Sequence, residues 1–238
     1  MNDLLKMPKT PKGIETLNNI LSAATQLFYE RGYHGANISD ITKLAGVATG
    51  TFYVYFDSKI SLYRYMLLQF GHSIRRELSE KTRNYATRRE RERAGLLAWL
   101  EYVRAHPYVY NIIWESLYID RKLFTEYYET FNDSYVSGLR EAGDSGELAD
   151  IDLNVLSYAL MGISNFLGLK YCLFAEPTQD LGYVVDEIMK LLDGGMFTGK
   201  IPDAPAAHEE KPRSMDFRVE VDFDFLNRDK NNRTEGEK

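Results

Sequence analysis

The stretch Gly46-Val47-Ala48-Thr49-Gly50-Thr51-Phe52-Tyr53-Val54-Tyr55-Phe56-Asp57-Ser58-Lys59 decides the fold. Just upstream, Ile38, Ile41 and Leu44 form an apolar stripe at helical spacing, with Asn37 placed as N-cap and Asp40 near the positive helix end. Ala45-Gly46-Val47 breaks that pattern. Ala45 is small where two helices would cross, Gly46 can take positive φ, and Val47 plugs the core beneath. A third segment, 48–56, follows directly, and Asp57-Ser58 supplies a cap for a long fourth helix to about Thr82. Two short helices on a glycine turn make a helix-turn-helix. On spacing alone, a generic helical hairpin is the competing reading.

Working outward, Leu17, Ile20, Leu21, Ala24, Leu27 and Phe28 mark one buried face of a first helix, with Gly32 just past its end. A helix that reads DNA must be short-sided where its backbone approaches the bases, and Ala48, Thr49, Gly50 and Thr51 are all small. Threonine offers a hydroxyl to a base edge or phosphate and a methyl to thymine. Tyr53 and Tyr55 can reach phosphates with their hydroxyls; core packing is the other reading of both. Lys59 brings a charge and a helix N-terminus to a phosphate. Phe52 and Phe56 point inward. The expected DNA-binding residues are therefore Asn37, Ala48, Thr49, Gly50, Thr51, Tyr53, Tyr55 and Lys59.

The run 46–59, together with Ala23-Ala24-x-x-Leu27-Phe28-x-x-x-Gly32-Tyr33, closely resembles the signature of the tetracycline-repressor (TetR) family of transcriptional regulators. The resemblance is strong over 14–68 and elsewhere extends only to helical layout and length. Ala48 and Thr49 stand where members often carry serine and lysine, and Val54 where histidine is common; these departures bear on sequence preference and phosphate contact. The resemblance implies a cytoplasmic homodimer that binds a double-stranded DNA operator and a small-molecule effector.

Composition sets the outer bounds. The chain has 238 residues, 44% hydrophobic and 27% charged, enough for a real core. A net charge of −6 excludes a protein that coats nucleic acid through bulk positive charge, but leaves room for a local DNA-reading surface. The single cysteine, Cys172, excludes an intrachain disulfide and a cysteine-cluster metal site and fits a reducing cytoplasm. The start, MNDLLKMPKTPKG, has no signal-peptide apolar region. The most apolar stretch, 158–175, carries Ser164, Asn165 and Lys170 and reads as a buried helix rather than a membrane span. His34, His72, His106 and His208 are scattered, with no metal-ligand spacing and no nucleophile–base arrangement around them. No phosphate-cradling glycine loop is present. The expectation is no enzyme, no metal and no cofactor. Segment 75–93 holds eight basic and four acidic residues, and reads as a solvated helix end and linker or as a surface grazing the DNA backbone.

No proline falls between Pro11 and Pro107 or between Pro107 and Pro177, so long helices are permitted there. Beyond Arg93 the pattern gives helices at 96–105 and 108–118, then one capped by Asp120 to about Ala142. A glycine loop at 143–146 follows, then an apolar helix at 153–174 capped by Asp152, and a last helix from Pro177-Thr178 through Leu192. Aromatic residues number 11 of the 37 between Trp99 and Tyr135, against 13% in the whole chain. That density suits a cavity for an apolar or aromatic effector, including an acyl tail, with Trp114, Tyr118, Tyr128 and Phe131 as candidates. A tightly packed core with an exposed tyrosine face is the alternative. Gly162, Ser164 and Gly168 among the apolar residues of 153–174, together with Val184, Val185, Ile188, Leu191 and Leu192, suit the two-fold four-helix interface that the resemblance implies.

The tail differs. Residues 194–214 read as a linker. From Met215 to Phe225 apolar and charged residues alternate without a break, a strand pattern, and 227–238 are polar and charged, a disordered composition. The expected architecture is all-α: a helix-turn-helix domain at 1–60, an effector-binding and dimerisation domain at 61–193, and a C-terminal extension at 194–238 with one β-strand. The expected function is a DNA-binding transcriptional regulator, a repressor released by its effector. The alternative is a helical small-molecule-binding or adaptor protein without DNA binding.

Overall fold

The computed structural model describes residues 4–176 and 178–194. Helix α1 (Pro11–Gly35) starts where the Thr10 hydroxyl accepts from the Gly13 N–H at 3.1 Å and Pro11 takes the first helical position. Its buried stripe is Leu17, Ile20, Ala23, Ala24, Leu27 and Phe28. Gly32 interrupts it with φ of +69°, a left-handed turn that a residue with a Cβ adopts only at a cost. Helix α2 (Ile38–Leu44) follows Asn37, which is extended but makes no side-chain cap bond. Gly46, at φ of +70°, turns the chain into α3 (Thr49–Tyr55). Helix α4 (Lys59–Thr82) opens on a reciprocal capping box between Ser58 and Ser61.

The second half follows the same logic. Helix α5 (Arg88–Ala105) begins earlier than apolar periodicity placed it, because a Thr87–Glu90 capping box starts it within the charged segment. Pro107 opens α6 (Pro107–Ile119), and the Asp120 carboxylate caps α7 (Arg121–Asp144) by accepting from Lys122 N. Asp152 caps α8 (Leu153–Gly168) through the N–H groups of Asn154 and Val155. The expected helix at 153–174 is not α-helical throughout: a π-helical turn, Leu169–Leu173, takes over after Gly168. Helix α9 (Leu181–Gly194) completes the described chain.

Helix α1 packs on α2 and α6, α4 on α5 and α7, and α5 on α8 and α9. A continuous apolar core runs from Ile20, Phe28, Ile41 and Phe52 through Phe56 and Tyr63 to Leu100, Ile112 and Val185. Each such side chain contributes about 1.5–3 kcal/mol on burial. Tyr63 is fully buried, and its hydroxyl donates to the Ile112 carbonyl at 2.5 Å, joining α4 to α6.

One expectation is corrected. The all-α class holds, but every element among the described residues is helical, and no β-strand extension stands among them. Strict alternation specifies two faces, whereas a strand also needs an edge to pair with, and the described residues offer no sheet. The alternating stretch at 215–225 lies outside the described residues. No described helix is long and apolar enough to cross a membrane.

Candidate functional site

Helix α3 has two faces. Phe52 and Tyr55, with Phe56 at the helix end, are buried against the core. Thr49, Gly50, Tyr53 and Val54 are exposed, Tyr53 at 50% and Val54 at 58%. Ala48 and Asn37 are also exposed, and Thr51 is half-buried. The face is held from behind. The buried Thr42 hydroxyl bonds the Ile38 carbonyl at 3.0 Å and lies 3.4 Å from that of Thr49, tying the first residue of α3 to α2. Lys43 and Leu44, at the end of α2, are exposed beside the turn and were not among the expected contacts.

Two expected contact residues are placed elsewhere. Tyr55 is 6% exposed, and its hydroxyl donates to the Gly13 carbonyl at 3.0 Å, fixing the start of α1. Its inward direction was readable, since Phe52, Tyr55 and Phe56 follow helical i, i+3, i+4 spacing. The Lys59 ammonium donates to the carbonyls of Tyr33 at 2.6 Å and Ala36 at 2.9 Å, and lies 4.2 Å from the centre of the Tyr33 ring. Its charge closes the carbonyl end of α1. Burial pulls its pKa down, and the Glu115 carboxylate works against that shift.

Glu115 comes from α6 and reaches the same place. Its Oε1 accepts from Tyr33 N at 2.7 Å, just beyond the Gly32 turn. A Cβ on Gly32 would lie 2.7 Å from that oxygen, so glycine admits the carboxylate as well as the turn. The neighbouring residue, Trp114, lines a cavity.

That cavity has a volume of about 530 Å³ and lies among α4, α5, α6, α7, α8 and α9. Trp99, Tyr110, Trp114, Tyr128 and Phe131 supply much of its wall. Three of the four expected residues, Trp114, Tyr128 and Phe131, are there, whereas Tyr118 is 84% exposed and does not line it. Tyr110 stacks on Trp114 with ring centres 6.0 Å apart, and its hydroxyl donates to the Asn165 carbonyl. Burial pushes the Tyr110 phenol up to about 12 and the Tyr127 and Tyr128 phenols well above their ordinary value, so all three stay neutral donors.

The polar part of the wall escaped the sequence reading. Arg88 and Glu92 form a largely buried ion pair, and the Tyr135 hydroxyl donates to the same carboxylate. The Arg88 guanidinium sits 5.2 Å from the centre of the Tyr135 ring, and its Nε is buried without a hydrogen-bond partner. Arg75 stands 5.1 Å from the centre of the Phe131 ring and has no acidic partner among the described residues. No described group of three or more His, Cys, Asp and Glu side chains is placed to hold a metal ion.

Residues 20–66 match the model for bacterial regulatory proteins of the tetR family. Over this segment the chain is similar to the TetR family. The HTH-type transcriptional activator FasR of Mycolicibacterium smegmatis (strain ATCC 700084 / mc(2)155) is 30% identical over 105 residues, 44% of this chain and 48% of FasR. The chain spans less than half the length of the first curated relatives that it matches. Among solved structures, the fatty acid degradation regulator FadR from Bacillus halodurans superposes with a TM-score of 0.69 at 21% identity, over 80% of this chain and 98% of that one. FadR from Bacillus subtilis in complex with stearoyl-CoA gives 0.64 at 21% identity, over 76% of this chain and all of that one. At these identities the likeness shows a shared fold across both halves of the described chain.

Proposed function

We propose that this chain is a TetR-type, sequence-specific DNA-binding transcriptional regulator, a repressor released when a molecule with a long apolar body occupies the cavity. The observation that carries the DNA reading is the outward face of α3: Thr49 and Gly50, with Ala48 before them, leave the backbone open, and Tyr53 stands beside them. Small residues admit close approach to base edges, and the threonine hydroxyl and methyl supply direct readout. Thr51 joins this surface at its rim and Asn37 at the start of α2. Tyr55 and Lys59 hold the unit rigid from behind. The effector reading is supported by the apolar cavity and by a similar fold that binds stearoyl-CoA in Bacillus subtilis FadR. Helices α8 and α9 leave Val155, Tyr158, Phe166 and Tyr183 exposed, an apolar set that a second copy of the chain covers in a two-fold dimer. The domain division follows: residues to about 60 read DNA, and 61–193 bind effector and dimerise.

A gel-shift with the intergenic DNA upstream of the chain's own gene tests the reading. A discrete complex that survives excess unrelated duplex, and that a long-chain acyl compound dissolves, is the expected result. Binding that any duplex competes equally well would leave only the helical small-molecule-binding protein.

A further inference from the structure

The cavity wall is polarised along α7. Trp114 meets Phe124 edge-on near the start of that helix, with ring centres 6.5 Å apart. Further along, the Arg75 guanidinium lies over Phe131 and that of Arg88 over Tyr135. Phe131 and Tyr135 are one helical turn apart, about 6 Å along the axis, and both arginines line the cavity. Phe124 and Tyr135 are about 16 Å apart on the same scale. The cavity therefore has an aromatic, apolar end and a cationic end.

The balance of charge at the cationic end is positive. Glu92 neutralises Arg88, and its carboxylate is already shared with the Tyr135 hydroxyl. Arg76 pairs with Glu80, and Arg91 with Glu141. Among the described residues, Arg75 alone of these arginines has no ion pair, and Arg88 keeps a buried N–H with no acceptor. A buried donor without a partner is costly, and a charge-assisted bond to an anion removes that cost. No purely apolar ligand can do so.

We propose that the effector carries an anionic group, seated against the guanidinium groups that line the cavity, Arg75 first among them, with its apolar body running along α7 toward Trp99, Tyr110 and Trp114. The proposal rests on the effector reading of the cavity and not on the DNA reading. The anion is a carboxylate or a phosphate, either of which a guanidinium group binds; a neutral head of the same length leaves the Arg75 charge uncompensated.

The two tryptophans of the chain, Trp99 and Trp114, both line the cavity, so intrinsic fluorescence reports its occupancy. Titration of the full chain compares tetradecanoic acid, 1-tetradecanol and tetradecanoyl-CoA. The expected result is an anionic probe that binds at least about tenfold more tightly than the alcohol. Arg75→Gln should bring that ratio toward unity, and Arg75→Lys should restore part of it. Arg88→Gln should act in the same direction; because Arg88 is also half of a buried ion pair, its melting curve is recorded alongside, and Arg75→Gln decides the matter where Arg88→Gln does not fold. A preference for the free acid assigns the site to a carboxylate, and a preference for the thioester assigns it to phosphate. Equal affinity for acid and alcohol, or a ratio that survives Arg75→Gln, overturns the anion site while leaving the cavity an effector site. If none of the three probes changes the fluorescence, the effector reading falls with it, and the gel-shift on promoter DNA still stands as a separate test.

Discussion

Thr49 and Lys59 lie ten positions apart; Thr49 is exposed, whereas the Lys59 ammonium is bound internally. Thr49 faces outward at the start of α3, so Thr49→Ala should change base preference at one operator position by about 1–3 kcal/mol. Selection of bound duplexes from a randomised pool would show it, and an unchanged consensus would remove Thr49 from the readout. Lys59 spends its charge on the carbonyls of Tyr33 and Ala36. Lys59→Met should therefore lower stability, by about 1.5–3 kcal/mol for bonds from a charged donor. The slope of log affinity against log salt should stay unchanged, because no phosphate counterion is released by a lysine bound internally. A shallower slope would return Lys59 to the DNA backbone. Cys172 offers a simpler check. Burial pushes its thiol up to about 11, and its Sγ donates to the Leu100 carbonyl at 3.2 Å. A raised pKa means less thiolate, so a disulfide reagent at pH 8 should react slowly with the native protein and fast after unfolding.

Among the elements, α6, like α4, touches both the cavity and the first helix of the helix-turn-helix unit. Its Trp114 lines the cavity, and the next residue, Glu115, reaches the Gly32 turn of α1, whose last carbonyls are held by Lys59 of α4. A shift of α6 on ligand binding therefore pulls on α1 and α4 together. Gly32→Ala adds a methyl 2.7 Å from a Glu115 oxygen at a φ of +69°. The expected cost is about 1–3 kcal/mol from backbone strain and the displaced carboxylate. Thermal unfolding measures it. Glu115→Gln keeps the shape and removes the charge; it should change how far the effector lowers operator affinity more than it changes either affinity alone. Equal coupling in wild type and Glu115→Gln would take Glu115 out of the transmission path.

For the whole molecule, regulation is a linkage between two binding equilibria. If an effector lowers operator affinity by some factor, the operator must lower effector affinity by the same factor. Titrating tryptophan fluorescence with and without operator duplex checks this directly, and identical curves would separate the cavity from regulation. The exposed apolar residues of α8 and α9 make a parallel prediction. Phe166→Glu should convert a dimer to a monomer in sedimentation and weaken operator binding, since one protomer holds only one α3.

The sequence by itself determined the local structure. Proline spacing, the helix caps at Asp120 and Asp152, the glycine turns at Gly32 and Gly46, and the 3.6-residue stripes placed the helices, because each of these signals acts within a few residues of itself. It missed the early start of α5, hidden among charges, where a capping box rather than an apolar stripe opens the helix. The alternating tail shows the reverse limit: a pattern of faces states what could pair, never whether a partner edge exists. Which side chains meet was decided only by tertiary structure. Lys59 and Tyr33 are 26 positions apart, Glu115 and Tyr33 are 82 apart, and both contacts depend on how α1 crosses α4 and α6. The same holds in the cavity. The density of aromatic residues announced that something there needed rings, but Tyr118 turned to solvent while Arg75 and Arg88 turned inward. Arg88 and Glu92 pair at i, i+4 within α5, but the Phe131 and Tyr135 rings that meet the two guanidinium groups come from α7, and local spacing carries no record of them.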